Sequence, residues 1–367
     1  MVAYLSRLKR LLACVFIGAL ISFAVYLFKL QNKIESIAKG KVGESDFHEA
    51  RIVDLKWDRE IREIPDSLAS LREKLSAKPR SEAVGEIEVF LRKGKDRKTG
   101  LILKFGKGGK IEGWPTLRVF LLDLLLELDP EAAARISREI LSSKTSADEW
   151  AIALRNVAKG ERVGRNRDYL RTRAEELITT PEWQAQPSIG YFNAFDVLVY
   201  TEAIESSPLL SGLIQRKDRR DLAHASFLTM DRLVQRRPLD MLTRLKADRA
   251  LQESRPEMTA QQFARADLRD ISLQAIVKSW LLDPSRTPKQ LQNFSAIFPN
   301  NNKLISHNLL TSQEQVSGAD LTAHDRDVLA VIQDWKTDPE FESRTQYLEV
   351  MAKRLSQFVE SADSSSR

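Results

Sequence analysis

The 367-residue chain has few of the residues that build metal, thiol and nucleophile chemistry. Its single cysteine, Cys14, excludes an intrachain disulfide and any multi-cysteine metal site. Its four histidines show no metal-ligand spacing, and neither an H-E-x-x-H nor a G-x-S-x-G motif occurs. The sequence therefore predicts no metal, no cofactor and no catalytic residue, although an enzyme without a linear motif stays open.

Glycine and proline are also sparse, which excludes several structural classes. With 15 Gly and 13 Pro, the chain is neither collagen-like nor of low complexity. Its 43% hydrophobic and 29% charged residues exclude global disorder and a protein of many membrane spans. The length allows one large domain or two ordinary ones with a substantial core.

Positive charge is in small excess and is unevenly placed. The chain has 57 Lys and Arg against 51 Asp and Glu, which gives a net charge of +6. Four of the basic residues fall in residues 1–29, where no acidic residue occurs. The remainder is also polarised, because residues 301–367 hold seven basic and eleven acidic residues. The overall excess is therefore weak support for nucleic-acid binding.

One long apolar run is present near the N-terminus. From Leu11 to Phe28 the sequence LLACVFIGALISFAVYLF contains eighteen residues and no charge. At about 1.5 Å per residue, this is at the lower end of what spans a hydrocarbon core of about 30 Å. A core helix of a soluble protein is rarely apolar on every face directly behind a basic stretch. We therefore expect a retained transmembrane signal-anchor with a single span.

Two processing events are alternatives to that anchor. Cleavage after Ala24 would follow a small-x-small triplet but leave an apolar N-terminus. Lipidation at Cys14 is a weaker alternative, since the apolar run follows the cysteine instead of preceding it. Because residues 1–10 carry three basic residues and resist crossing, we expect the N-terminus inside and the large C-terminal part outside the cytoplasm, in a periplasm-like space.

Helix signals dominate from Pro65 onward, and the expected fold class is all-α. The transmembrane helix is followed by an irregular stack of antiparallel helices, among them one continuous helix over Thr259–Leu282. One short β-hairpin is expected near residues 101–112. The predicted organisation is a cytoplasmic tail at 1–10, the transmembrane segment at 11–28, a charged stalk at 29–64, an α-helical repeat-like domain at 65–300, an acidic C-terminal helical part at 301–360 and a disordered tail at 361–367.

The stretch 115–160 has the pattern of paired helices. PTLRVFLLDLLLELD is apolar on most faces, and a Pro-marked turn joins it to PEAAARISREIL, which carries Arg on its exposed side. This pair resembles the HEAT-type helical repeats, as a resemblance of architecture over about 115–160 only. The resemblance implies a stack of helices that binds protein partners, and it carries over no catalytic residues.

Two basic clusters form the candidate interaction patch. The first lies in residues 92–110 and the second in residues 155–173. Aromatic residues are nearly absent from both, so a stacking platform for single-stranded nucleic acid is not expected. The residues chosen from these clusters are Lys93, Lys95, Arg97, Lys98, Arg162, Arg165 and Arg167.

The leading functional hypothesis is a membrane-anchored helical scaffold that presents a protein-interaction surface outside the cytoplasm. The membrane is contacted through one span, and the sequence does not identify the protein partner. The alternatives are an envelope enzyme without a linear motif, and a cytoplasm-facing tether that binds anionic lipid or nucleic acid through the basic clusters.

Overall fold

The computed structural model describes residues 64–161, 163–314 and 317–365. The predicted membrane segment Leu11–Phe28, the tail before it and almost all of the stalk lie outside these ranges. In the described ranges, no helix has both the length and the apolar composition needed to cross a bilayer. The anchor therefore stays a prediction from the sequence.

The described residues are mostly helical, with four short strands in two antiparallel pairs. The helices are α1 (Ile64–Ser76), α2 (Arg80–Arg92), α3 (Leu117–Leu128), α4 (Pro130–Ile140), α5 (Ala147–Gly160), α6 (Val163–Thr179), α7 (Pro181–Ala185), α8 (Ile189–Tyr200), α9 (Ser207–Ile214), α10 (Arg220–Arg236), α11 (Pro238–Ala247), α12 (Arg249–Ser254), α13 (Pro256–Phe263), α14 (Ile271–Leu281), α15 (Pro288–Ile297), α16 (Gly318–Thr337) and α17 (Thr345–Ser365). The strands are β1 (Lys104–Phe105), β2 (Ile111–Gly113), β3 (Ser306–His307) and β4 (Ser312–Gln313).

The helices from α3 to α10 pack as successive pairs. Helices α3, α5, α8 and α10 lie side by side in chain order. Helix α4 packs on both α3 and α5, α6 packs on both α5 and α8, and α9 packs on α10. This arrangement is compatible with a helical-repeat architecture. Further along the chain, α13 packs on α15, α15 packs on α17, and α16 and α17 form an antiparallel pair.

Local sequence sets the helix starts in the first half of the stack. Thr116, Asp129 and Ser146 are N-caps whose side chains accept backbone N–H bonds from the first turns of α3, α4 and α5. Pro130 directly follows its cap, where the missing N–H costs nothing. Asp129 also lies near Arg80, and its pKa is lowered mainly by the hydrogen bond from the Ala132 backbone. The short connections that these caps define make consecutive helices antiparallel.

Two buried ion pairs tie α3 to α5. Helix α3 is buried on almost every side, including its charged residues Arg118 and Asp123. The Arg118 Nε donates to Glu149 Oε1 at 2.7 Å, and both side chains are 4% exposed. Further along both helices, Arg155 Nη1 donates to Asp123 Oδ1 at 2.8 Å. Charges this deeply buried require their partners, so the register between α3 and α5 is fixed.

Aromatic side chains form the core of the second half. Phe263 stacks on Trp280 with ring centroids 4.7 Å apart, and Trp280 contacts Phe294 at 5.3 Å. Phe294 in turn stacks on Phe298 at 5.2 Å. All four rings are almost fully buried. This row joins α13, α14 and α15 through apolar area and ring geometry.

Arginine side chains close the C-terminal ends of neighbouring helices. A helix leaves its last carbonyl groups without backbone partners, and these ends also carry partial negative charge. Five arginines from other elements donate to such carbonyls. The pairs are Arg118 with Leu91 O, Arg167 with Thr201 O, Arg219 with Gln184 O, Arg255 with Ile214 O, and Arg344 with Leu281 O.

Three features differ from the sequence-based expectation. The helix expected over Thr259–Leu282 is interrupted between α13 and α14, because Asp270 caps a new helix by accepting from Ser272 N and Leu273 N. Strands β3 and β4 form a second hairpin that was not expected. Residues 361–365 continue α17 where a disordered tail was expected, and the Ser361 hydroxyl donates to the Gln357 carbonyl one turn earlier.

We predict that Glu149→Gln destabilises the protein far more than Glu139→Gln. The first substitution leaves the buried Arg118 without an opposite charge and should cost about 3 kcal/mol. The second removes the same charge from a pair whose side chains are 45% and 47% exposed, and should cost below about 1 kcal/mol. Urea unfolding of the full chain in detergent measures both, and equal losses would contradict the role given to the buried pair.

Candidate interaction site

The loop between α2 and α3 carries the first basic cluster, and its backbone is firmly held. We call residues 93–110 the basic loop. Thr99 N donates to Pro115 O at 3.0 Å, and Leu117 N donates to Arg97 O at 2.9 Å. The Asp96 carboxylate accepts from the backbone N–H groups of Arg97 and Arg118. Hydrogen bonds to the start of α3 therefore fix the loop at its base.

The tip of the basic loop is the hairpin that the sequence predicted. Lys104 pairs with Gly113 and Phe105 pairs with Ile111 in an antiparallel register. Gly108 and Gly109 both have positive φ, which explains why glycine is needed there. The glycine-rich run therefore forms a hairpin turn, as expected.

Lysine ammonium groups of the basic loop face solvent. Lys93, Lys98, Lys107 and Lys110 are exposed, and none of them has a salt-bridge partner in the part of the chain that the structure describes. Lys104 instead pairs with Glu112 at 2.8 Å and lowers the pKa of that carboxyl. Of the other patch residues, Lys95 is exposed and Arg97 is half-buried. The loop thus presents several positive charges on an ordered backbone.

The second basic cluster is organised differently. Arg155 is buried against Asp123, and Arg167 donates to Glu205 at 2.7 Å as well as to the end of α8. The last two arginines of this cluster each pair with a glutamate of their own helix, Arg171 with Glu175 and Arg173 with Glu176. Arg162 lies outside the described residues, and only the backbone of Arg165 is described. The arginines whose side chains are described therefore have carboxylate partners within this chain, and Arg155 and Arg167 also join separate elements.

An open groove of about 570 Å³ lies between α4 and the end of α5. Its guanidinium groups are already engaged. Arg138 donates to Glu161 at 2.6 Å and lies over the Tyr169 ring at 4.0 Å. Arg92 donates to Glu139 at 3.0 Å on the same surface. The groove therefore offers paired charges, and we assign it no ligand.

The histidines in the described part of the chain do not form a metal site. Among the described residues, His324 is a buried histidine, with Nδ1 2.9 Å from Asp325 Oδ1 and Nε2 3.6 Å from Asp267 Oδ1. No group of three or more His, Cys, Asp or Glu side chains among the described residues is arranged to hold a metal ion. This cluster joins α16 to the segment before α14.

The second hairpin contacts the basic loop. We call residues 306–313, which contain β3, β4 and the turn between them, the strap. Its turn approaches Gly109 so closely that a Cβ there would lie 2.5 Å from Leu309 O and 2.8 Å from Asn308 O. The strap also rests on polar residues of α8 and α10, among them Asp196 and Arg232. Sequence reasoning missed these residues because more than 70 positions separate them from the strap.

Comparison of the chain with protein-family models, with curated proteins and with solved structures finds no match. No family match assigns the paired helices to the HEAT repeats.

We predict that Gly109→Ala and Gly108→Ala have different effects. Both glycines have φ near +70°, so each alanine should cost about 1 kcal/mol from the backbone conformation. Only the Cβ at position 109 collides with the strap, whereas nothing lies within 4 Å of one at position 108. Gly109→Ala should therefore also speed tryptic cleavage after Lys303, at the base of the strap. Equal cleavage rates in the two variants would contradict the contact between the hairpins.

Proposed function

We propose that this chain is a single-pass, membrane-anchored helical scaffold with HEAT-like packing, and that its basic loop docks an acidic protein partner outside the cytoplasm. No catalysis is part of this proposal. The anchor is the apolar segment Leu11–Phe28, and the N-inside orientation follows from the basic tail before it.

The observation that carries the proposal is the contrast between the two basic clusters. The arginines of the second cluster whose side chains are described are hydrogen-bonded to carboxylates of this chain. In the first cluster, Lys93, Lys98 and Lys107 have no such partner in the described part of the chain, although the backbone that carries them is ordered. An ordered loop loses little conformational entropy when it binds, and exposed ammonium groups favour a negatively charged partner.

The experiment is photo-cross-linking from position 98 of the full chain in native membranes. We expect a protein adduct there, and none from a cross-linker at Lys144, an exposed lysine of the loop between α4 and α5. Raising salt from about 0.15 M to about 1 M shortens the Debye length from about 8 Å to about 3 Å, so the adduct should weaken about tenfold.

Charge reversal in the same assay tests the loop itself. Lys93→Glu with Lys107→Glu should reduce the adduct about tenfold, because two positive charges facing the partner become negative. The matched control, Lys144→Glu with Lys217→Glu, changes the net charge equally at two other exposed lysines and should leave it unchanged. Equal loss in both variants, or an adduct to lipid or nucleic acid, would contradict the proposal, and the latter would favour the cytoplasm-facing tether.

A topology reporter tests the anchor separately. A C-terminal phosphatase that folds only outside the cytoplasm should be active, because the basic tail before Leu11 is retained inside. Deleting residues 11–28 should abolish both this activity and sedimentation with membranes. Fluorescence from a reporter that matures only in the cytoplasm would overturn the orientation.

A further inference from the structure

A buried carboxylate on α8 holds the turn of the strap. Asp196 accepts from Leu310 N at 2.8 Å and from Thr311 N at 3.2 Å, and the Thr311 hydroxyl also donates to it. Arg232 of α10 lies 3.5 Å from the same carboxylate and is also 3.5 Å from Ser312 O. The Asp196 carboxylate thus accepts hydrogen bonds from two consecutive backbone N–H groups and one hydroxyl of the strap.

The neighbouring contacts also recognise a peptide backbone. Asn193 Oδ1 accepts from Leu309 N at 3.3 Å, one residue before the two N–H groups that Asp196 binds. The Leu309 side chain is 3% exposed, so the turn inserts an apolar anchor. At the other end, Gln313 Nε2 donates to Gln235 Oε1 at 2.8 Å. The strap is therefore held through its backbone groups, one apolar side chain and one hydroxyl. Folded surfaces recognise short peptides through contacts of these kinds.

Besides Arg232, the groups that the structure places against the Asp196 carboxylate belong to the strap. Burial raises the pKa of Asp196, and the hydrogen bonds from Thr311 and Leu310 oppose that rise. A buried carboxylate without donors is costly, so this surface has a strong preference for a ligand that supplies N–H groups.

The residues at the start of the strap are more exposed and have fewer hydrogen bonds than the residues of its turn. Leu304 and Ile305, just before β3, are 50% and 60% exposed. The buried Ser306 Oγ and His307 Nδ1 have no hydrogen-bond partner among the described residues. The contacts of the strap with α8 and α10 therefore come from residues 309–313, and a competitor needs to reproduce only those.

We propose that α8 and α10 form a binding site for a peptide turn, and that residues 308–313 fill it as an intramolecular ligand. The site takes a segment with an apolar residue two positions before Ser or Thr, folded so that consecutive N–H groups point at Asp196. A protein partner carrying such a segment displaces the strap. This site depends on neither the anchor nor the lysines of the basic loop. The peptide-site proposal can therefore be tested independently of the function proposed above.

The test replaces residues 308–312 in the full chain with a Gly/Ser sequence of equal length. A fluorescent peptide of residues 303–314, KLISHNLLTSQE, is then titrated in detergent. It should bind this variant at least about tenfold more tightly than the natural chain, because an attached ligand competes at an effective concentration in the millimolar range. Equal affinity, or no binding to a variant with native circular dichroism, would overturn the proposal.

Two further substitutions locate the binding. Adding Asp196→Asn to the replaced chain should abolish peptide binding, since the charged acceptor is lost. Adding Asp334→Asn, at an exposed acid of α16, should not change it. Equal effects of the two substitutions would place the peptide elsewhere and refute the site.

If the replaced chain does not fold, hydrogen exchange in the natural chain decides. The Leu310 and Thr311 amides should exchange at least about tenfold faster than the Val197 and Leu198 amides in α8, because the strap opens without unfolding the helices. Exchange of all four amides at one common rate would mean that the strap leaves only on global unfolding, and would overturn the proposal.

Discussion

Hydrogen bonds from arginine to helix-end carbonyls connect elements along the whole described structure. Each of five arginines reaches from its own element to the last carbonyls of another helix, so the end of that helix is tied to a different part of the fold. The guanidinium group suits this role because it is planar, always charged and carries five donors. A stack of short helices has many helix ends. Such contacts give hydrogen-bond donors to carbonyl groups that packing alone would bury without a partner.

This use of arginine explains why charge in the sequence is a poor guide to charge at the surface. The second basic cluster looks as positive as the first when it is written as a string. In space, Arg155 and Arg167 are bonded to Asp123, Glu205 and helix-end carbonyls. Asp123 and Glu205 lie outside α6, and each is about 30 or more residues from the arginine that it pairs with. A short sequence window does not reveal such pairs.

The sequence predicted best what depends on neighbouring residues. The helices over 115–160 and the first hairpin follow from spacing, proline and glycine. The break after Phe263 was missed, because the apolar spacing continues across it while Asp270 restarts the helix. The strap and its site on α8 were missed because Asp196 and Thr311 meet only in the folded chain, 115 residues apart.

The separation between the strap and its site also sets an order in time. Arg232 is made 80 residues before Ser312, and a ribosome that adds about 5–20 residues per second needs about 4–16 s to cover that interval. Helices α8 and α10 therefore exist before their own ligand does. A partner present during synthesis reaches the site without a competitor, whereas a later partner has to displace the strap. During that interval a partner would bind to the proposed site without the competition that the strap provides afterwards.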